Sequence, residues 1–279
     1  MNLECLYNHQ PEIWQAPGKT TPVQLDEITG VDTAEYALLQ GAVAVPNLSK
    51  IKALADDLYR QLLVLASQLG KPRFVRIWNY IPEINEGTGD HECYRQFCWG
   101  RADALGNTVL PAATGIGSHD GVLRISALTT RPATPGPSID VHHIENPRQL
   151  SAYNYPRNYG PKSPSFARAT LVEPPNSEPG AGLLLLSGTA SIVNHESRHP
   201  HDLALQSKET ARNIHALLAT LKRPVEPLFL RYYLRDPSRL EEAIAAWPEH
   251  FGDWALPAFY RGDICRSELE LEVEGVFRV

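Results

Sequence analysis

The chain has 279 residues, 43% hydrophobic and 21% charged, a composition ordinary for a globular protein and long enough for one large domain or two of about 140 residues. Its formal net charge of −6 argues against nucleic acid as a partner, since such binders usually show a basic footprint, so any anion site must be made locally. No stretch approaches the roughly 18 apolar residues of a membrane span, no basic and apolar leader is read at the N-terminus, and four cysteines without a CxxC point to a reduced, cytoplasmic protein.

The clearest helix follows Asn47-Leu48-Ser49, with Ser49 placed to cap it. Ile51, Leu54, Leu58, Leu62, Leu65 and Leu69 recur at helical spacing before Gly70-Lys71-Pro72 ends the run. Arg73–Asn79 reads as a strand, Pro82 opens a polar loop, and a second helix is expected from about His91 to Leu105. On it Tyr94, Phe97 and Arg101 fall at i, i+3 and i+7, so they share a face that is either a cationic surface or a ligand-facing stripe. Gly115-Ile116-Gly117-Ser118-His119-Asp120-Gly121 has one residue more than GxGxxG and leads into a strand, which makes it a loop or hairpin turn rather than a phosphate cradle. Neither a Walker A motif nor a GxSxG elbow is found. Strands are expected at 122–128, 139–144, 167–172, 182–186 and 190–193. Proline density makes 129–138 and 173–182 exposed loops.

Residues 153–168 are too rich in Pro and Gly for a helix, yet concentrate Tyr153, Tyr155, Tyr159, Arg157 and Arg168. Amphipathic rings and planar donors in that density suit the gripping of a carboxylate and the covering of an apolar ring better than simple connection. His195-Glu196-Ser197-Arg198-His199 is a literal HExxH, but the zinc-protease mechanism needs both histidines on one helix. The β-branched run before it and Pro200 after it oppose that, so the residues read as polar loop groups shaping a pocket. A helix carrying Ile214, Leu217, Leu218 and Leu221 stops near Pro224, the strand 227–233 follows, and Asp236-Pro237 starts a helix through Ala246. Long helix, strand, short helix and strands thus occur twice, which implies two similar α+β units packed closely. Near the C-terminus, Leu269, Leu271 and Val273 alternate with Glu268, Glu270, Glu272 and Glu274 at period 2. The acidic face is either solvated or lends one carboxyl to a cleft, where burial would raise its pKa and make it an acid.

The runs RIWNYIPEIN (76–85), YRQFCWGRA (94–102), IENPRQLSAYNYPRNYGPKSPSFARA (144–169), SGTASIVNHE (187–196) and GDICRSELELEVEG (262–275) resemble the chorismatases over roughly residues 73–279. Their fold is similar to that of RidA/YjgF proteins. The resemblance implies an α+β protein of two closely packed RidA/YjgF-like (chorismate mutase-like) units, mixed sheets with helices on one face. The units would span 1–145, partly degenerate, and 146–279, carrying the catalytic strand. It implies a cofactor-free, metal-free enzyme whose small-molecule substrate is chorismate, with Glu272 as the general acid that protonates the enolpyruvyl methylene carbon and releases pyruvate. Tyr94, Arg101, Tyr155 and Arg168 match substrate-holding positions, and Ala190 lies where subtypes differ. Cys265 resembles the cysteine of benzoate-forming members, where a thiol facing the ring would assist proton removal; a plain core role is the other reading. The expected products are pyruvate and 3-hydroxybenzoate, with 4-hydroxybenzoate as a further product. Hydrolysis to 3,4-dihydroxycyclohexa-1,5-diene carboxylate and non-catalytic small-molecule binding are the alternatives. Glu268 and Glu270 are then expected to be solvated neighbours, with Glu274 near enough to the site to assist. Monomer and homo-oligomer both remain open.

Overall fold

In the computed structural model, which describes residues 3–9, 14–16, 18–106, 108, 110–132, 139–175, 180–254 and 256–279, the apolar stripe at 51–69 forms the helix it implies. The chain reaches it through β1 (Cys5–Tyr7), β2 (Thr21–Leu25), β3 (Ile28–Asp32) and β4 (Tyr36–Ala44). A 3₁₀ turn, Leu48–Lys50, leads into α1 (Ile51–Gln68). The cap is Asn47 rather than Ser49, its side-chain oxygen accepting from the Ser49 amide at 2.9 Å. Leu58, Leu62 and Leu65 are buried, and each such leucine contributes about 2 kcal/mol of burial.

Next come β5 (Arg73–Pro82), α2 (Cys93–Leu105), β6 (Ala112–Ser118) and β7 (Val122–Thr130). Gly115 and Gly117 lie inside β6 and not in a turn, because parallel pairing with β5 from Arg76↔Ala112 to Pro82↔Ser118 satisfies their backbone groups. Thr129 and Thr130 likewise belong to β7 and not to an exposed loop. Both are buried opposite Ala37 and Tyr36 of β4, while 133–138 of that loop lie outside the described residues. Gly100 lets α2 close onto α1, since a Cβ there would fall 2.0 Å from the Lys52 carbonyl oxygen.

The second half runs β8 (Asp140–Ile144), β9 (Ala169–Glu173), β10 (Leu183–Thr189), β11 (Ile192–Val193), β12 (Glu196–Ser197), α3 (Leu203–Ala219), β13 (Glu226–Leu234), α4 (Leu240–Phe251), β14 (Ala258–Arg261) and β15 (Leu271–Arg278). Glu173 ends β9, and 176–179 of the second proline-rich stretch lie outside the described residues. α4 continues through Pro248 to Phe251, past the expected stop at Ala246.

One sheet has the order β2-β3-β4-β7-β5-β6 and the other β8-β9-β10-β15-β13-β14-β1, so the halves repeat the same topology with β1 added at one edge. The last pair of the first sheet, β5·β6, and its counterpart in the second, β13·β14, are parallel and the rest antiparallel. The twofold α+β repeat read from the element order is therefore present. α1 and α2 cover one face of the first sheet, meeting Leu39, Ile77 and Leu123. α3 and α4 cover the second, meeting Leu186, Leu271 and Val273. The open faces pack on each other through Val75, Trp78 and Ile116 on one side and Leu185, Tyr233 and Tyr260 on the other. A cut at 145/146 does not follow this pairing, because β8 edges the second sheet and β1 crosses to it. Among the described residues, no helix is long and apolar enough to cross a membrane.

Candidate active site

On β15 the period-2 pattern holds: Leu271 and Val273 enter the core beneath α3 and α4, which turns Glu272 and Glu274 toward the other sheet. Both carboxyls are buried, at 5% and 2% exposure, but their surroundings differ. Glu274 accepts from Arg76 Nη2 (2.5 Å) and Thr114 Oγ1 on one oxygen, and from Arg231 Nη1 (2.7 Å) and Tyr233 Oη (2.7 Å) on the other. A carboxylate has about four lone-pair sites, so Glu274 is saturated. Burial opposes its ionisation, but Arg76, Arg231 and the two hydroxyls outweigh burial and hold it below the ordinary carboxylate value.

None of the described hydrogen bonds ends on Glu272, which faces a cavity of about 430 Å³. Burial, reinforced by the charge of Glu274 and only partly offset by Arg76 and Arg168, pushes its pKa up to about 8. At neutral pH Glu272 is a carboxylic acid beside an ionised neighbour. Gly188 of β10 makes room for it, since a Cβ there would fall 1.7 Å from Glu272 Oε1.

The cavity lies between the two units. From the first, α2 presents Tyr94, Phe97 and Arg101, so the stripe read at i, i+3 and i+7 faces the cavity. Arg101 is 4% exposed, stands 5.6 Å over the Tyr59 ring, and leaves Nε and Nη2 without a hydrogen-bond partner. From the second unit, Arg168 donates Nη2 to the Leu150 carbonyl (2.7 Å) and the Tyr155 hydroxyl (3.0 Å), while its Nε has no partner. A buried donor left unpaired costs about 1–3 kcal/mol, so these nitrogens can take acceptors that the protein itself does not supply. Ala190 and Cys265 complete the wall, which brings Tyr94, Arg101, Tyr155, Arg168, Ala190, Cys265 and Glu272 to one cavity.

Burial, then Glu272, pushes the Cys265 thiol up to about 12, and burial moves Cys98 to about 12 as well. Cys265 is thus held as a neutral thiol at pH 7 on the wall of the cavity. Tyr94, raised well above its usual value by burial and then by Cys98, Cys265 and Glu272, stays a neutral phenol.

The loop at 153–168 divides its residues. Tyr155, Tyr159 and Arg168 line the cavity, Tyr153 is exposed, and Arg157 turns away to pair with Asp90 at 2.9 and 2.7 Å. The HExxH segment is a hairpin of β11 and β12, with Asn194 at φ 58°, as its β-branched approach predicts. His195 there packs 5.6 Å from the Tyr159 ring and meets its hydroxyl through Nδ1 at 3.3 Å. Among the described residues, no group of three or more His, Cys, Asp or Glu is placed to hold a metal ion.

Glu268 and Glu270 are not the solvated neighbours expected. Glu268 accepts from Ser197 Oγ at 2.7 Å at the cavity wall, and Glu270 is 8% exposed, its amide bonded to Gln206 of α3 and its carboxylate 3.2 Å from His201. The N-terminal turn of α3 and β12 cover the approach to β15, which strand periodicity does not reveal. The sequence reading also missed Arg76, Thr114, Arg231 and Gly188. Thr114 Oγ1 is a junction, accepting from Arg76 (2.5 Å) and the Gly188 amide (3.0 Å) while donating to Glu274. Asn79 supports it, its Oδ1 accepting from the Tyr59 hydroxyl at 2.5 Å and its Nδ2 donating to the Thr114 carbonyl at 2.8 Å.

A family model described as "Chorismatase FkbO/Hyg5-like, N-terminal" matches residues 12–129. A chorismatase of Streptomyces rapamycinicus is 33% identical over 281 residues, covering 95% of this chain and 81% of that protein. A 3-hydroxybenzoate synthase of Streptomyces hygroscopicus is 32% identical over 281 residues, covering 95% of this chain and 80% of its own. A chorismatase crystal structure superposes with a TM-score of 0.81 at 31% identity, over 91% of this chain and 78% of that one.

Proposed function

The chain belongs to the chorismatase family, and we propose that it cleaves the enolpyruvyl ether of chorismate with Glu272 as general acid, forming pyruvate and 3-hydroxybenzoate. The observation that carries this reading is a buried, protonated carboxyl in the same cavity as two guanidiniums with unpartnered donors. Chorismate carries two carboxylates and no phosphate, which suits Arg101 and Arg168 as the two holding cations. The phenols of Tyr94 and Tyr155 then give hydrogen bonds without adding charge.

Transfer of the Glu272 proton to the methylene carbon makes an oxocarbenium ion and leaves a carboxylate beside it. Attack of the neighbouring ring hydroxyl on the ether carbon breaks its C–O bond, releases pyruvate and leaves an epoxide across the two ring carbons, the hydroxyl proton passing to the Glu272 carboxylate. Opening of the epoxide at the former hydroxyl carbon, with loss of the hydrogen on the former ether carbon, yields 3-hydroxybenzoate, whereas ether cleavage without that transfer of oxygen yields 4-hydroxybenzoate. Chorismate converts to pyruvate plus 3-hydroxybenzoate with no other reactant, since the atoms of the two products sum to those of the substrate. Hydrolysis to the dihydroxycyclohexadiene carboxylate instead adds one water. The similarity to a 3-hydroxybenzoate synthase favours the first outcome. Cys265 then acts by shape, as a neutral thiol on the cavity wall, and Ala190 sets the room beside it; 4-hydroxybenzoate is the side product this wall has to discriminate against.

Because the acid form is the reactive one, kcat/KM is level below the Glu272 pKa and falls as pH rises through about 8. Incubation with chorismate, followed by chromatography and a pyruvate assay, tests both parts. Equimolar pyruvate and 3-hydroxybenzoate are expected. Intact chorismate would overturn the activity, and a dihydroxy acid as the sole ring product would overturn the product.

A further inference from the structure

We infer that Glu274 is a positioning residue: a permanently charged carboxylate, sealed from the cavity, that keeps the Glu272 carboxyl in its acid form until substrate is bound. The inference rests on the reading of Glu272 as the acid and adds what makes it one. Three observations carry it. Glu274 does not line the cavity that Glu272 lines, so it has no contact with a ligand there. Its two oxygens already take four donors, which leaves no lone pair to accept or relay a proton. It points the same way as Glu272 two residues along β15, which sets the two carboxyls about 7 Å apart along the strand. A fixed negative charge at that distance in a dry interior disfavours a second one.

The donors come from both units. Arg231 and Tyr233 belong to β13, next to β15, whereas Arg76 on β5 and Thr114 on β6 reach across from the first sheet. Packing of the two units is therefore what pins Glu274, and through it sets the state of Glu272. The remaining groups around Glu272 act in other directions. Arg168, ahead of β9, and Arg76 favour its ionised form. Arg101, Tyr94 and Cys98 face the cavity from α2, and Cys265 faces it from the segment before β15, the last three neutral at pH 7. Arg231 and Tyr233 are engaged with Glu274. Glu92, paired with Arg95, and Glu268, near Arg266, also line the cavity, but of the carboxylates Glu274 is the one whose charge acts on Glu272 to favour the proton.

Two substitutions of opposite sign test this. In Glu274→Gln the negative charge is lost, and in Arg76→Gln a positive one is lost while Arg231 and Tyr233 still hold Glu274. The readout is an infrared pH titration of the protonated-carboxyl band that disappears in Glu272→Gln, together with the alkaline limb of kcat/KM for chorismate. The Glu272 midpoint is expected to fall by about one to two pH units in Glu274→Gln and to rise by about one in Arg76→Gln, with the kinetic limb moving alike. Midpoints unchanged in both folded variants, or moving in the same direction, would overturn the inference. Should Glu274→Gln fail to fold because Arg76 and Arg231 lose their shared carboxylate, the double variant Glu274→Gln/Arg76→Gln, which removes one charge of each sign, decides: its Glu272 midpoint should lie about one to two pH units below that of Arg76→Gln, and equal midpoints would overturn the inference. The infrared midpoint does not require turnover. Opposite shifts in a protein that releases no pyruvate would sink the proposed activity and leave the carboxyl pair standing.

Discussion

β7 and β15 hold the same place in their sheets, β7 between β4 and β5 and β15 between β10 and β13. On β7 Tyr80 of β5 stands opposite Arg124 and Trp78 opposite Ser126; on β15 Tyr233 of β13 stands opposite Glu272 and Arg231 opposite Glu274. The face turned to the helices is apolar on both strands, with Leu123 and Ile125 on one and Leu271 and Val273 on the other. The face turned to the opposite sheet is where they part. Arg124 reaches the surface and pairs with Asp120 at 2.6 Å, whereas Glu272 and Glu274 are enclosed. A repeated fold thus supplies one scaffold twice, and the chemistry comes from a few side chains on the inner face of one copy, completed by α2 and β6 of the other.

The largest effect short of removing the acid is expected where that inner face is tightest. Gly188→Ala places a Cβ against the movable end of Glu272, so the fold should hold while the carboxyl is displaced, and kcat should drop about 10²-fold with the melting temperature little changed. On the other wall, Arg101→Met removes a charged donor set from α2 and should raise KM by roughly 10- to 100-fold, measured by steady-state kinetics, with a smaller effect on kcat. Cys265→Ala enlarges the cavity next to a neutral thiol, and chromatography should show the ratio of ring products changed by about threefold at nearly constant pyruvate release. The smallest effect belongs to the position matching Glu272 in the first unit: Arg124→Gln should keep activity within about twofold, since its ion pair is a surface one.

Periodicity made much of the fold legible. The stripes of α1 and α3, the strands β5 and β13 and the order in which they recur all followed from spacing and from Gly or Pro stops. β2, β3 and β4 were not assigned; β2 is an edge strand with exposed Thr21 and Pro22, so its pattern has no clean buried face. β6 was mistaken for a turn because its glycines, which punctuate most chains, here sit in a parallel pair buried between the units. At the site, alternation exposed an acidic face and the family resemblance chose Glu272 within it. What separates Glu272 from Glu274 physically is a partner 198 residues away in the chain, Arg76, and no local pattern encodes that contact. The burial of Glu270 has the same origin, in Gln206 of α3.

Whether Glu272 is the proton donor is measured most directly by pyruvate release from chorismate in Glu272→Gln. The amide matches the carboxylic acid in shape and neutrality but has no proton of suitable acidity to give, so the variant should fold, bind and lose about 10²- to 10⁴-fold in kcat. A Glu272→Gln protein that releases pyruvate at the wild-type rate would contradict the account.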